Sequence, residues 1–167
     1  MAKKVLIIST SLRGKSNSEI LAKECEKGAR DAGHDVEFLS LRGKDIRFCI
    51  GCLSCQKTGS CVLKDDVPEI MAKVKAAEVV VFATPIYYYE MSGQMKTLLD
   101  RLNPLYDSDY CFRDIYMIAT AAEDESTTIE KAYNGLQGWV DCFERAELTG
   151  CVFGGGINDA GEAVQHA

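Results

Sequence analysis

Long apolar runs are missing from this sequence. The longest, near Val79 to Ala83, is far short of the roughly 20 residues that a bilayer-spanning helix needs, so no membrane partner is expected. An excess of basic residues is missing as well. Lys and Arg number 19 against 25 Asp and Glu, and a net charge of −6 makes nucleic acid and anionic membrane surfaces poor partners. Met1-Ala2-Lys3-Lys4 leads into Val5-Leu6-Ile7-Ile8, and polar Ser9-Thr10-Ser11 follows at once. So short a run reads as a buried strand and not as the core of an export signal, which makes the cytoplasm the expected location. Internal repeats, linkers and low-complexity tracts are absent too, so residues 1–167 are expected to form a single domain.

Cysteine, by contrast, is plentiful: eight in 167 residues. In a cytoplasmic chain, thiols are read as metal ligands, redox groups or core residues before disulfides. Cys25, Cys111, Cys142 and Cys151 are scattered singly and read as small core residues. Cys49, Cys52, Cys55 and Cys61 crowd together.

Apolar runs alternate with helical patterns along the chain. Lys4 to Ser9 reads as a strand, and Ser16 to Ala32 as a helix with Leu21, Cys25, Ala29 and Ala32 on one side. Ser16-Asn17-Ser18-Glu19 has the form of a capping box, and Gly33 stands where a helix ends. Asp35 to Leu41 is the second strand, and about 42–64 is a Cys-rich insertion. Asp65-Asp66-Val67-Pro68 opens a helix with Val67, Ile70, Met71 and Val74 on its apolar face. Glu78 to Ala83 is the third strand and Thr84 to Glu90 a loop. Met91 to Leu102 is a helix stopped by Pro104. Asp114 to Thr120 is a strand, Ser126 to Arg145 a helix weakened by Gly135 and Gly138, and Ala146 to Phe153 the last strand before a Gly-rich tail. Such alternation implies an α/β three-layer sandwich with a parallel sheet and right-handed crossovers. Five strands fit the flavodoxin-like order 2-1-3-4-5, which puts a ligand beyond the carboxyl ends of the strands, in the loops after Ser9, Ala83 and Thr120.

The first of these loops is dense in hydroxyls, carries Arg13 and Lys15, and runs into a helix N-terminus. Backbone N–H groups and the helix dipole favour an anion there, with Arg13 as a second contact. A purely structural loop, in which Ser16 only caps the helix, is the plainer alternative. Gly14-Lys15-Ser16 also invites comparison with a P-loop. That motif needs a glycine where Ser9 stands and an aspartate ending another strand for Mg²⁺, and neither is present.

A family resemblance rests on two separate segments. Thr10-Ser11-Leu12-Arg13-Gly14-Lys15-Ser16-Asn17-Ser18 resembles the G-S-x-R-x-x-S-N-[ST] phosphate loop of NAD(P)H-dependent FMN reductases, with Thr10 in place of the usual glycine. Thr84-Pro85-Ile86-Tyr87-Tyr88-Tyr89-Glu90-Met91-Ser92-Gly93-Gln94-Met95-Lys96 is similar to that family's P-[IV]-Y-x-x-x-[MP]-[ST]-x-x-[ML]-K segment, and Asp100-Arg101 follows as it does there. The resemblance implies a flavodoxin-like domain that binds FMN and takes hydride from NAD(P)H. On this reading Ser9, Ser11, Arg13, Ser16, Asn17 and Ser18 surround the phosphate. Thr84, Pro85, Ile86, Tyr87, Tyr88 and Tyr89 serve the ring, and Thr120, Ala121 and Ala122 flank it. The three tyrosines could equally cover the sheet edge or a subunit interface. No side chain stands out as a general base, and none is needed where a flavin carries the chemistry. Gly154-Gly155-Gly156 opens no clear helix and is not a dinucleotide fingerprint.

The resemblance implies an oxidoreductase that passes electrons to a quinone, nitro compound, flavin, metal ion or protein. The alternative is an electron carrier without enzymatic turnover, or a shuttle fed by ferredoxin. Relatives of this kind are dimers or tetramers, so a homodimer or homotetramer is expected. Cys49, Cys52, Cys55 and Cys61 have the spacing C-x₂-C-x₂-C-x₅-C. Compact runs of this type hold [4Fe–4S] clusters, although bacterial ferredoxins use a shorter last spacing and a following proline. Zinc sites more often use two separated C-x₂-C pairs. Free thiols or partial disulfides are the third reading. The run also resembles that of the iron–sulfur flavoprotein subgroup of the same family.

Overall fold

Residues 1–165 are described by the structure, a computed structural model. Its strands are β1 (Lys4–Ser9), β2 (Asp35–Ser40), β3 (Val79–Tyr87), β4 (Glu90–Met91), β5 (Asp114–Thr120) and β6 (Glu147–Gly154). Its helices are α1 (Asn17–Asp31), α2 (Ser54–Thr58), α3 (Val67–Ala76), α4 (Gly93–Arg101) and α5 (Glu130–Val140). The five long strands are parallel, in the order β2-β1-β3-β5-β6. This is the expected flavodoxin-like sheet, with one addition: the two-residue β4 pairs antiparallel with the end of β3.

Strand β1 is apolar on both faces because both faces are covered. Leu6 and Ile8 pack with Val80 and Phe82 under Ile70 and Val74 of α3, Met95 and Leu98 of α4, and Leu136 of α5. Val5 and Ile7 point the other way, with Val79 and Val81, against Ala22, Leu21, Cys25 and Ala29 of α1. Three long helices thus cover one face and α1 the other. Beside α1 an apolar groove of about 570 Å³ remains, reaching Tyr116 and Val152. Among the described residues no helix is long and apolar enough to cross a membrane.

Several local expectations change. Thr84 to Glu90 is not an open loop. Strand β3 runs on to Tyr87, and Tyr88 and Tyr89, at φ 52° and 65°, form a two-residue hairpin turn into β4. Positive φ at both central residues is what a tight hairpin needs, yet Asn and Gly normally provide it. Helix α4 begins at Gly93 instead of Met91, because Ser92 caps it by accepting the N–H of Met95. The stretch 126–145 divides into a 3-10 turn (Ser126–Ile129), α5, and a turn that delivers Phe143 to a ring cluster with Tyr110, Phe112 and Trp139. Ser16 caps α1, but Glu19 does not return the bond. Its carboxylate accepts from Ser9 Oγ (3.1 Å) and Arg42 Nη2 (2.7 Å). Cys111 and Cys142 are exposed and not core residues.

Candidate cofactor cleft and thiol loop

A cleft of about 310 Å³ lies beyond the carboxyl ends of β1, β3 and β5, the crevice where ligands bind in open α/β sheets. Three loops meet there. The first contributes Ser11, Arg13, Ser16 and Asn17, the second Pro85, Ile86, Tyr87 and Tyr88, and the third Thr120, Ala121 and Ala122. A fourth wall, Ile157 and Asn158, comes from the tail after β6.

The first loop is polar and nevertheless buried: Ser9, Thr10, Ser11, Ser16, Asn17 and Ser18 all are. Thr10 Oγ1 donates to the Ala83 carbonyl (3.0 Å) and lies 3.1 Å from Ser92 Oγ, which joins the first loop to the start of α4. Thr84 Oγ1 accepts the N–H of Ser92 at 3.0 Å. Ser9, Ser18 and Thr84 therefore sit behind the cleft wall and hold it in shape. Tyr89 also stands off the cleft, with Lys131 Nζ 5.5 Å from its ring centroid.

Arg13 and Asn17 reach across to the tail. Arg13 Nη1 donates to the Asn158 carbonyl (2.9 Å), Asn17 Nδ2 to the Asp159 carbonyl (2.8 Å), and Asn17 Oδ1 accepts the N–H of Ala163 (3.1 Å). The tail's part was missed in the sequence. Its trace there is the glycine run. Gly155 packs so closely on the third loop that a Cβ would meet Asp124 Oδ1 at 2.6 Å and Asp124 Cα at 2.8 Å. Only a residue without a side chain lets the tail turn there and bring Ile157 to the Ala121 carbonyl (2.9 Å).

The thiol loop lies at the other end of α4. Cys49, Cys52, Cys55 and Cys61 line one small cavity of about 40 Å³, together with Asn103. All four are free thiols. Among the described residues, no three His, Cys, Asp or Glu side chains are gathered in a metal-binding group. Hydrogen bonds from the Ser54 N–H and hydroxyl hold the Cys52 thiol below its usual pKa. Asn103 Nδ2 is 3.0 Å from Cys55 Sγ. At the neck of the loop, Arg101 and Asp65 form an ion pair whose side chains are both fully buried. Of the remaining cysteines, burial pushes Cys25 up and Cys151 up to about 11.

Fold and cleft together define a doubly wound α/β domain with a crevice of about 310 Å³, hydroxyl-rich at one end and aromatic at the other. Residues 3–134 match the family model of the NADPH-dependent FMN reductases, and the chain belongs to that family. An iron-sulfur flavoprotein of Methanocaldococcus jannaschii is 39% identical over 102 residues, covering 61% of this chain and 53% of that one. One of Archaeoglobus fulgidus is 34% identical over 101 residues, covering 60% and 46%. The chain thus spans about half the length of these curated relatives. In fold, it is similar to an NAD(P)H:quinone oxidoreductase from Methanothermobacter marburgensis, with a TM-score of 0.71 at 15% identity over 98% of this chain and 93% of that one.

Proposed function

We propose that this chain binds FMN in the three-loop cleft and works as an oxidoreductase, accepting hydride from NAD(P)H and passing electrons to a quinone, flavin, nitro compound or protein. The observation that carries this reading is the cleft itself, with a buried hydroxyl loop entering α1 at one end and an aromatic hairpin facing small residues at the other. The residues fit the group. Ser11, Ser16 and Asn17 stand where the first N–H groups of α1 point, a natural phosphate site, and Arg13 supplies the cation. Ile86 to Tyr88 offer backbone amides and ring faces to a flat heterocycle, Pro85 stiffens the approach to them, and Ala121 and Ala122 let the ring come close. When bound, FMN supplies hydride acceptance and electron release, and the protein groups orient it and limit water around it. NAD(P)H needs only an open ring face, which leaves no motif.

Cys49, Cys52, Cys55 and Cys61 line one small cavity and match an iron–sulfur cluster's ligands in kind and number; they are not gathered into a metal-binding group, so holding a cluster would draw the loop together. The names of the relatives support the same reading. This loop also favours a second function, an electron carrier fed by ferredoxin. Two measurements test these readings. Mass analysis of the cofactor released from purified protein should give FMN; FAD or a nucleoside triphosphate as the main species would refute the cleft assignment. Steady-state oxidation of NADH or NADPH with a quinone acceptor should proceed. Its absence, together with rapid reduction by ferredoxin, would favour the carrier.

A further inference from the structure

Residue 47 and residue 65 bracket all four clustered cysteines, and one side chain holds the two together. Arg101 Nη1 donates to the Arg47 carbonyl (2.7 Å) and to Asp65 Oδ2 (2.6 Å), and Nη2 donates to Asp65 Oδ1 (3.0 Å). Asp65 in turn accepts the N–H of Arg47 (3.0 Å) and of Val67 (3.1 Å). Just outside, Asp66 Oδ2 takes the N–H of Asp45 (2.7 Å) and the Asp66 N–H returns to the Asp45 carbonyl (3.0 Å). The neck of the thiol loop is therefore closed by a guanidinium fork, and a fork is the part that lysine lacks.

Two residues beyond Arg101, in the turn after α4, Asn103 donates to Cys55. One donor is left over: Arg101 Nε is buried and has no partner within the protein. A buried guanidinium ordinarily satisfies its N–H groups, and the leftover donor suits an occupant rich in sulfur acceptors.

We propose that Arg101 is the positioning residue of the thiol loop, closing its neck through Asp65 and Arg47 and leaving its unpartnered Nε as a donor for the group the four cysteines hold. For the identity of that group the inference rests on the iron–sulfur reading; for the clamp it does not. Hydrogen bonds donated to cluster sulfurs raise a reduction potential, so losing the guanidinium donor lowers it.

The test compares the wild-type chain with Arg101→Lys, and with Asp65→Asn as a second variant should the first not fold. In the cluster-free protein, amide hydrogen exchange across residues 48–64 should rise about tenfold or more in either variant, since a charge-assisted fork is lost. FMN content should not change. After anaerobic reconstitution, wild type should hold about four iron and four sulfide per chain. Both variants should lose iron to a chelator faster, and Arg101→Lys, which lacks the Nε donor, should show a more negative midpoint potential. Unchanged exchange in the loop overturns the clamp. Unchanged potential and chelation rate with a full cluster overturn the donor role. A wild-type chain that takes up no iron refutes the iron–sulfur reading instead, and leaves the clamp to be decided by the exchange data.

Discussion

Arg13 performs two tasks at the edge of the cleft. On the proposed FMN reading it brings a cation to the phosphate end, and through the Asn158 carbonyl it ties the tail to the first loop. Arg13→Ala removes both. A charge-assisted hydrogen bond contributes about 1.5–3 kcal/mol, so the dissociation constant for FMN should rise about tenfold or more in a fluorescence titration of apoprotein. An unchanged constant would mean that Arg13 serves the tail alone. A second residue carries a prediction about pH. Burial raises the Cys151 thiol from an ordinary 9.0 to about 11. Between those values the unfolded chain gives up this proton and the folded chain keeps it, so stability falls as pH rises. Below about pH 9 the thiol contributes no pH dependence; between there and about 11 it removes up to about 1.4 kcal/mol per pH unit. Thermal melts at pH 8 and pH 10.5 should therefore lie further apart for wild type than for Cys151→Ala. Equal separation would show that Cys151 is not held in its protonated form.

At the scale of elements, the third loop and the tail depend on one glycine. A methyl group at Gly155 would press on Asp124 Cα and, at 2.9 Å, on the Glu123 carbonyl, backbone atoms that cannot swing aside. Gly155→Ala should cost about 1–3 kcal/mol of stability, seen as a lower melting temperature, and should weaken FMN binding by moving the third loop. A variant with wild-type melting and affinity would mean that the tail moves freely away from that loop. This contact also marks the limit of what the sequence reveals. Strands β1 and β3 are legible because burial on both faces writes them as continuous apolar runs, β5 because its run from Ile115 to Ala119 is apolar although Tyr116 is exposed, and α1 and α3 carry their own start signals in Ser16 and Pro68. The three loops of the cleft follow from strand order. The hairpin into β4 is hidden because two tyrosines occupy positions that local rules give to Asn and Gly. Helix α2 is too short to show periodicity. Ile157 and Asn158 reach the cleft only by folding back across the sheet, a long-range contact with no local pattern. Helix α4 is legible as a helix, but its role is not. Its nine residues, about 13 Å of helix, link Ser92 behind the three-loop cleft to Arg101 at the thiol loop.

Taken whole, the molecule turns an unusual surface to solvent at the mouth of the three-loop cleft. Tyr88 is 98% exposed and Tyr87 and Tyr89 about half exposed, on a turn whose backbone is strained for such residues. Holding a non-glycine residue at positive φ costs of order 1 kcal/mol or more, and such strain persists where function requires it. Lys131 over Tyr89 accounts for one ring. Tyr88 lines the cleft, yet a side chain left almost entirely in water gains nothing from the fold. Tyrosine is among the residues that carry most binding energy at protein interfaces. A second copy seated over the hairpin would bury these rings and narrow the mouth of the cleft, which accounts for both the residue type and the strain. The chain should therefore self-associate. Light scattering at micromolar concentration should give a mass of two or four times 18.4 kDa, and the mass should fall on dilution. Tyr88→Ser should raise the concentration needed for assembly by about tenfold or more, since interface hot spots contribute about 2 kcal/mol or more each. A wild-type chain of 18.4 kDa at every concentration, with FMN bound, would leave the tyrosine hairpin to the cofactor or the electron acceptor alone.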